Sequence, residues 1–281
     1  MSSTWVARSI YIFSRFKRLR QIVDQCDAII IGGGGLLQGG DPRFLLSMRA
    51  ISRLATARRR PLYLVAVGAE GAWSLAEAGL YRNLAKLATG VFPRDNRTLD
   101  RLGLAESVSC WRVADFALQM PAAISRGGLG VNVRHFDSED RRTAHRQDIL
   151  EFCSTVSSDT ELTLFTTGNP EDGAALNHPD LAGITANRWE PNTVPELLDG
   201  LARFAAVRPS RLHSAILAIG SGCRLIEPDP GNLKLAEWLR GYADTARSID
   251  GHIEIDQSRV LRDIEALDRA LHFIRETYAA S

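Results

Sequence analysis

The chain has 281 residues, 45% hydrophobic and 24% charged, with a formal net charge of +1. That length supports a sizeable core in one large or two smaller domains, and the near-neutral charge removes the global electrostatic case for a nucleic-acid partner. No apolar run reaches the ~18 residues of a membrane span, and Cys26, Cys110, Cys153 and Cys223 are too scattered for a zinc pattern or a CxxC pair.

Residues 8–20 set Arg8, Arg15, Lys17, Arg18 and Arg20 among Ile10, Tyr11, Ile12, Phe13 and Phe16. This is a helix with a basic face, read here as a domain helix in preference to one lying on an anionic membrane surface. Ala28–Ile31 reads as a buried strand broken by Gly32–Gly35. A helix follows over about 44–58, a strand over 62–67, a helix over about 74–89 and a short strand at 91–92. Residues 96–102 read as helical and 107–111 as extended. The alternation argues for a parallel α/β sheet.

A stretch rich in Pro, Ala, Ser and Gly over 120–128 divides the chain. A second series then gives strands at 129–133, 162–166, 184–187 and 224–226, with helices at about 139–156 and 195–205. The last helix covers about 257–278, with Val260, Ile264, Leu267, Leu271 and Ile274 at helical spacing. The expected domains are therefore 1–122 and 128–256, with 257–281 as a terminal helix packing on the body. The expected fold is α/β, with two Rossmann-like domains facing a cleft.

Pro209-Ser210-Arg211-Leu212-His213 opens an apolar helical run that stops at Gly220. Ser210 is the expected N-cap, which puts Arg211 and His213 in the first turn. A helix start already favours anions. A guanidinium strengthens that preference, and an imidazole adds proton transfer near neutral pH. Lys234 is one of three lysines against 31 arginines. It follows the strand at 224–226 and the loop Glu227–Gly231, at a carboxyl end where α/β sheets place ligands.

Four segments in order carry a resemblance: Asp27 to Leu37 with its four glycines, Phe92-Pro93-Arg94-Asp95, Ala114 to Leu118, and the Arg211-Leu212-His213 helix with Lys234. Together they resemble the polysaccharide pyruvyl transferase family over about 27–240. The resemblance implies a fold of the GT-B type and transfer of pyruvate from phosphoenolpyruvate to a sugar as a cyclic ketal. It maps the donor site onto Arg94, Arg211, Leu212, His213 and Lys234, with His213 and Arg211 as catalytic residues. No metal and no cofactor beyond the phosphoenolpyruvate co-substrate is expected. The expected acceptor is a sugar in a glycan, glycoconjugate or small natural product, and the expected location is the cytoplasm of a bacterial cell.

The chemistry suits these residue types. Phosphoenolpyruvate carries a carboxylate and a phosphate, either of which Arg grips bidentately, and histidine is a reasonable general acid. Gly33, Gly34, Gly35, Glu70, Arg134 and Glu227 are the candidates for the cleft and acceptor side. A tight turn explains one or two of the four glycines, and close backbone approach to a ligand explains the rest. His135 reads as a loop residue; His145, His178, His252 and His272 read as surface residues. Trp73, Trp111, Trp189 and Trp238 read as core rather than sugar platforms. The chain departs from the family pattern before residue 27, where a first βα unit with a glycine-rich turn is expected, so the N-terminal domain reads as shortened. The alternatives are a glycosyltransferase of similar fold using a nucleotide sugar, with Glu227 on the ribose, and a non-catalytic family member.

Overall fold

The computed structural model describes residues 17–119, 127–228, 232–240, 242, 248–249, 252–253 and 255–279. Residues 8–16 of the basic N-terminal stretch and most of the 120–128 break lie outside them. The chain forms two compact units, Met1–Phe116 with Leu261–Ser281, and Ala117–Val260.

In the first unit a helix over residues 17–25 (α1) leads into β1 (Ile29–Gly32). There follow β2 (Leu37–Gln38), α2 (Pro42–Ala57), β3 (Leu62–Val67), β4 (Ala69–Glu70), α3 (Leu75–Leu87), β5 (Gly90–Pro93) and α4 (Asn96–Leu102). The main sheet has the order β1-β3-β5, all parallel. Its central strand, Leu-Tyr-Leu-Val-Ala-Val, is buried at every residue, as the unbroken apolar run of a two-sided parallel strand requires. Among the described residues β1 is an edge strand, and Ile30 is 52% exposed where the sequence reading expects burial.

Helix starts in this unit are written locally. The Asp41 carboxylate accepts from the Arg43 N–H, with Pro42 in the first turn. Ser74 and Glu77 form a reciprocal capping box. Asp95 caps α4 by accepting from the Thr98 N–H at 2.7 Å, and Gly103 ends that helix at φ +69°. Each cap satisfies an N–H that the helix itself cannot, worth about 1 kcal/mol.

The second unit holds β6 (Leu129–Asn132), α5 (Glu139–Thr155), β7 (Leu162–Phe165), α6 (Pro170–Leu176), β8 (Asn187–Trp189) and α7 (Val194–Leu201). It continues with β9 (Ala206–Arg208), α8 (Leu212–Gly220), β10 (Arg224–Ile226), α9 (Leu233–Leu239), β11 (Ser248–Ile249) and β12 (His252–Ile253). The sheet order is β11-β12-β10-β9-β6-β7-β8; the strands from β10 to β8 are parallel, β12 runs antiparallel to β10, and β11 pairs antiparallel with β12. This is a doubly wound Rossmann-like sheet whose strand order reverses between β6 and β9.

The terminal helix α10 (Gln257–Ala279) joins the first unit from Leu261 onward. There Asp263 accepts from Arg112 at 2.6 Å, and its carbonyl accepts from the Ala114 N–H at 2.9 Å. Trp111 donates to the Ala266 carbonyl and packs with Phe92 and Phe273.

The structure corrects several expectations. Residues 107–111 form isolated bridges at Ser107 and Cys110 rather than a strand. The strand expected at 184–187 is β8, which begins at Asn187. It is an edge strand whose Asn187 and Arg188 are exposed, so hydrophobicity does not mark it. The sequence reading assigns no strand at β9, three residues squeezed between α7 and the Ser210 loop; it lies between β6 and β10. Helix α6 and the β11–β12 hairpin also go unread.

Candidate functional site

Two clusters gather the candidate residues, one in each unit. In the first, β5 delivers Arg94, which is 4% exposed. Its guanidinium donates to Asp115 at 3.0 Å and to Glu70 at 3.2 Å, and Asp95 lies 3.7 Å from its Nε. Asp115 is equally buried and Glu70 only partly so. The fork is thus held between two carboxylates.

This ion-pair cluster accounts for the neighbouring glycines. A Cβ on Gly35 would overlap the Glu70 carboxylate, and a Cβ on Gly68 would overlap the Arg94 guanidinium. Gly33 and Gly34 sit at φ +78° and +68°, where side chains are strained. The Gly33 N–H donates to the Val65 carbonyl, and the Gly34 carbonyl accepts from the Gly68 N–H. Backbone conformation and close packing therefore require glycine at 33, 34 and 35 without a ligand. Beside the loop, β3 shifts register between Val65 and Val67, with Ala66 at φ +52°. Gly35→Ala is expected to lower stability by about 1–3 kcal/mol, the usual cost of overpacking. Chemical denaturation checks it, and an unchanged midpoint would show that Glu70 can swing aside freely.

The second cluster stands at the carboxyl ends of β6 and β9, the switch point where doubly wound sheets bind ligands. Asn132, the last residue of β6, is 1% exposed. Its Oδ1 accepts from the Ser210 N–H, the Ser210 hydroxyl and the Arg211 N–H, while its Nδ2 donates to the Phe165 carbonyl. One carboxamide thus ties the ends of β6 and β7 to the loop before α8. Asn232 extends the tie, donating to the Ser210 carbonyl at 2.6 Å and capping α9 through Leu235 N–H.

Ser210 is therefore not the N-cap, because its hydroxyl is spent on Asn132. The cap is Arg211, with extended backbone, and its N–H also donates to the Ser214 hydroxyl. Leu212 becomes the first helical residue, its side chain buried, and His213 the second, exposed. The first-turn N–H groups of a helix have no intrahelical acceptor and face the loop side.

Arg211 is locked by Asp172, a fully buried residue of α6. Nε and Nη2 donate to its two carboxylate oxygens, both at 2.6 Å, and the His135 N–H donates to the same carboxylate at 2.8 Å. Arg134 follows β6, half-buried, with its guanidinium 4.5 Å from the Phe136 ring. The Arg134 N–H donates to His145 Nε2, and His145 is 3% exposed, so it is a core residue and not a surface one. Burial holds the Arg134 pKa below its usual value, and the neighbouring charges of Arg211 and Arg141 add to this.

Glu227 is exposed after β10, and its carbonyl accepts from Arg208. Lys234 is the second residue of α9; its side chain lies outside the described residues, as do residues 229–231 of the preceding loop. The structure thus joins Gly35, Glu70 and Arg94 in one unit, and in the other joins Arg134 and Arg211 around Asp172. Sequence reasoning passed over Asp172 and Asn132. A polar residue closing the apolar strand Leu-Gly-Val-Asn was a legible signal for Asn132; nothing local marks Asp172. His135, Asp137 and Glu171 also bring ligand-type atoms within 4.8 Å of one another, the spacing a cation would need, with both carboxylates exposed.

The polysaccharide pyruvyl transferase family model matches residues 2–226, most of the chain. The chain belongs to the polysaccharide pyruvyl transferase family. The family match takes in Arg94, Arg134, Arg211, Leu212 and His213 and ends before Glu227 and Lys234. No curated protein matches the sequence. Among solved structures, a candidate UDP-N-acetylglucosamine 2-epimerase of Listeria monocytogenes is similar at TM-score 0.59 and 13% identity, over 95% of this chain and 80% of that one. The UDP-GlcNAc 2-epimerase of Methanocaldococcus jannaschii gives TM-score 0.56 at 10% identity, over 93% and 80%. The Neisseria meningitidis UDP-GlcNAc 2-epimerase bound to UDP-GlcNAc gives 0.51 at 12% identity, over 94% and 73%. At these identities the likeness speaks for the fold alone, the α/β arrangement of the GT-B type. Among the described residues no helix is long and apolar enough to cross a membrane.

Proposed function

We propose that this pyruvyl transferase family member moves pyruvate from phosphoenolpyruvate onto two hydroxyls of a sugar, in a glycan, glycoconjugate or small natural product. The observation that carries the reading is the Arg211–Asp172 lock at the switch point. Asp172 takes the Nε–Nη2 edge of the fork and leaves Nη1 to meet an acidic group of the donor. Arg211 is thereby oriented before any ligand arrives, which lowers the cost of binding.

His213 supplies a proton to the methylene carbon, and C2 becomes electrophilic as its double-bond pair forms the new C–H bond. A sugar hydroxyl adds to C2 and loses its proton. The C2–O bond to phosphate then breaks, phosphate leaves with the bonding pair, and the second hydroxyl closes the ketal with loss of its own proton. Arg211 and Lys234 stabilise the departing phosphate. Donor contact by Arg94 requires Glu70, its more exposed partner, to turn away. The same reading places the enzyme in the cytoplasm, where phosphoenolpyruvate is made.

Calorimetric titration of the whole chain with phosphoenolpyruvate tests this. Saturable binding is expected for the wild type, with affinity reduced about 10- to 100-fold in Arg211→Lys, since an ammonium cannot both hold Asp172 along a planar edge and present a separate donor to the ligand. Binding of a UDP-sugar without phosphoenolpyruvate would support the second reading, a nucleotide-sugar glycosyltransferase. That reading draws on the fold shared with a UDP-GlcNAc-bound epimerase and on the exposed Glu227 beyond β10.

A further inference from the structure

We propose that Arg134 is a second donor-binding arginine, which with Arg211 cradles the two acidic groups of the donor. This deepens the phosphoenolpyruvate reading above and rests on it. The two arginines are equivalent by register. Val131 of β6 pairs with Arg208 of β9, so each stands three residues beyond the same pair, on either side of the switch point. Both are half-buried.

Their charges are not balanced alike. Asp172 gives both its oxygens to the Arg211 fork and also accepts from the His135 N–H. Arg134 Nε is buried and has no hydrogen-bond partner among the described residues. Its plane rests against Phe136, whose ring also carries Arg141 at 4.5 Å. Stacking fixes a guanidinium without consuming its N–H donors. The like charges of Arg211 and Arg141 oppose protonated Arg134, with Asp172 and Asp137 pulling the other way. Half-buried cations crowded in this way are relieved by an anion. A ligand with a carboxylate and a phosphate offers each arginine one planar or tetrahedral oxygen set.

Calorimetry of the full chain with phosphoenolpyruvate, inorganic phosphate and UDP, for wild type, Arg134→Met, Arg134→Lys and the exposed control Arg203→Met, decides the matter. Arg134→Met is expected to weaken phosphoenolpyruvate binding about 10- to 100-fold, the weight of charged hydrogen bonds. Arg134→Lys should recover part of the loss and Arg203→Met should match wild type. Wild-type binding that Arg134→Met retains within threefold overturns the role of Arg134 and leaves the donor reading standing. Absence of phosphoenolpyruvate binding in the wild type sinks the donor reading instead. In that case phosphate or UDP binding lost in Arg134→Met keeps the cradle as an anion site, and binding that is unchanged or absent removes it. Should Arg134→Met fail to fold by circular dichroism, Arg134→Lys is read alone, and an affinity equal to wild type overturns the proposal.

Discussion

Replacing Arg94 by methionine is expected to destabilise the first unit by about 3–5 kcal/mol, the usual penalty for removing one partner of a buried ion pair. Asp115 is 4% exposed and accepts from Arg94 Nη1 at 3.0 Å; Glu70 accepts from Nη2 at 3.2 Å. The glycines at 35 and 68 open the space that this cluster fills, so removing the fork leaves a void and takes the Arg94 donors from both carboxylates. Urea unfolding followed by tryptophan fluorescence, with Trp73 and Trp111 in this unit, measures the change. The double variant Arg94→Met/Asp115→Asn should lose less than Arg94→Met, because it removes both charges of the buried pair together. A loss below about 0.5 kcal/mol, the range of ordinary surface changes, would show that the cluster carries no stability. A stable Arg94→Met protein that no longer bound phosphoenolpyruvate would assign the arginine to the donor.

His213→Ala is expected to reduce turnover by about 10²- to 10⁴-fold, the usual contribution of a positioned general acid. His213 is exposed in the first turn of α8 while the residues around it, Leu212 and Ser214–Ile219, are buried. The substitution should therefore leave the unfolding midpoint nearly unchanged. Phosphate release from phosphoenolpyruvate, followed across a panel of sugar acceptors, gives the rate. Phosphoenolpyruvate affinity should change only a few-fold, since the loss belongs to the transition state rather than to ground-state binding. Turnover within twofold of wild type would take His213 out of the mechanism.

These two residues differ in how far a local reading could reach. His213 was legible because its surroundings are local: an apolar 3.6-residue period after Arg211 and the stop at Gly220 define the helix start on sequence alone. The cap was misplaced by one residue. Ser210 is a strong capping type, but Asn132, 78 positions earlier, claims its hydroxyl. Arg94 was legible as a motif residue only. Whether its guanidinium met a ligand or a carboxylate depended on Glu70 and Asp115, 24 and 21 residues away.

The same division runs through the fold. β3, β6, α2, α3, α4 and α10 were readable because buried parallel strands are continuous apolar runs and helices carry caps and a period. Strands β8 and β9 were not, being short and stabilised by pairing to neighbours rather than by their own composition. By itself the sequence determined the α/β class, the positions of most helices and buried strands, and the family, each recorded in contiguous residues. Folding alone brings Asp172 to Arg211, sets Arg94 between Glu70 and Asp115, and puts Arg134 and Arg211 in one register across the switch point. Such contacts join residues dozens of positions apart, and the free energy of a buried ion pair is set by the partner and the burial that folding supplies.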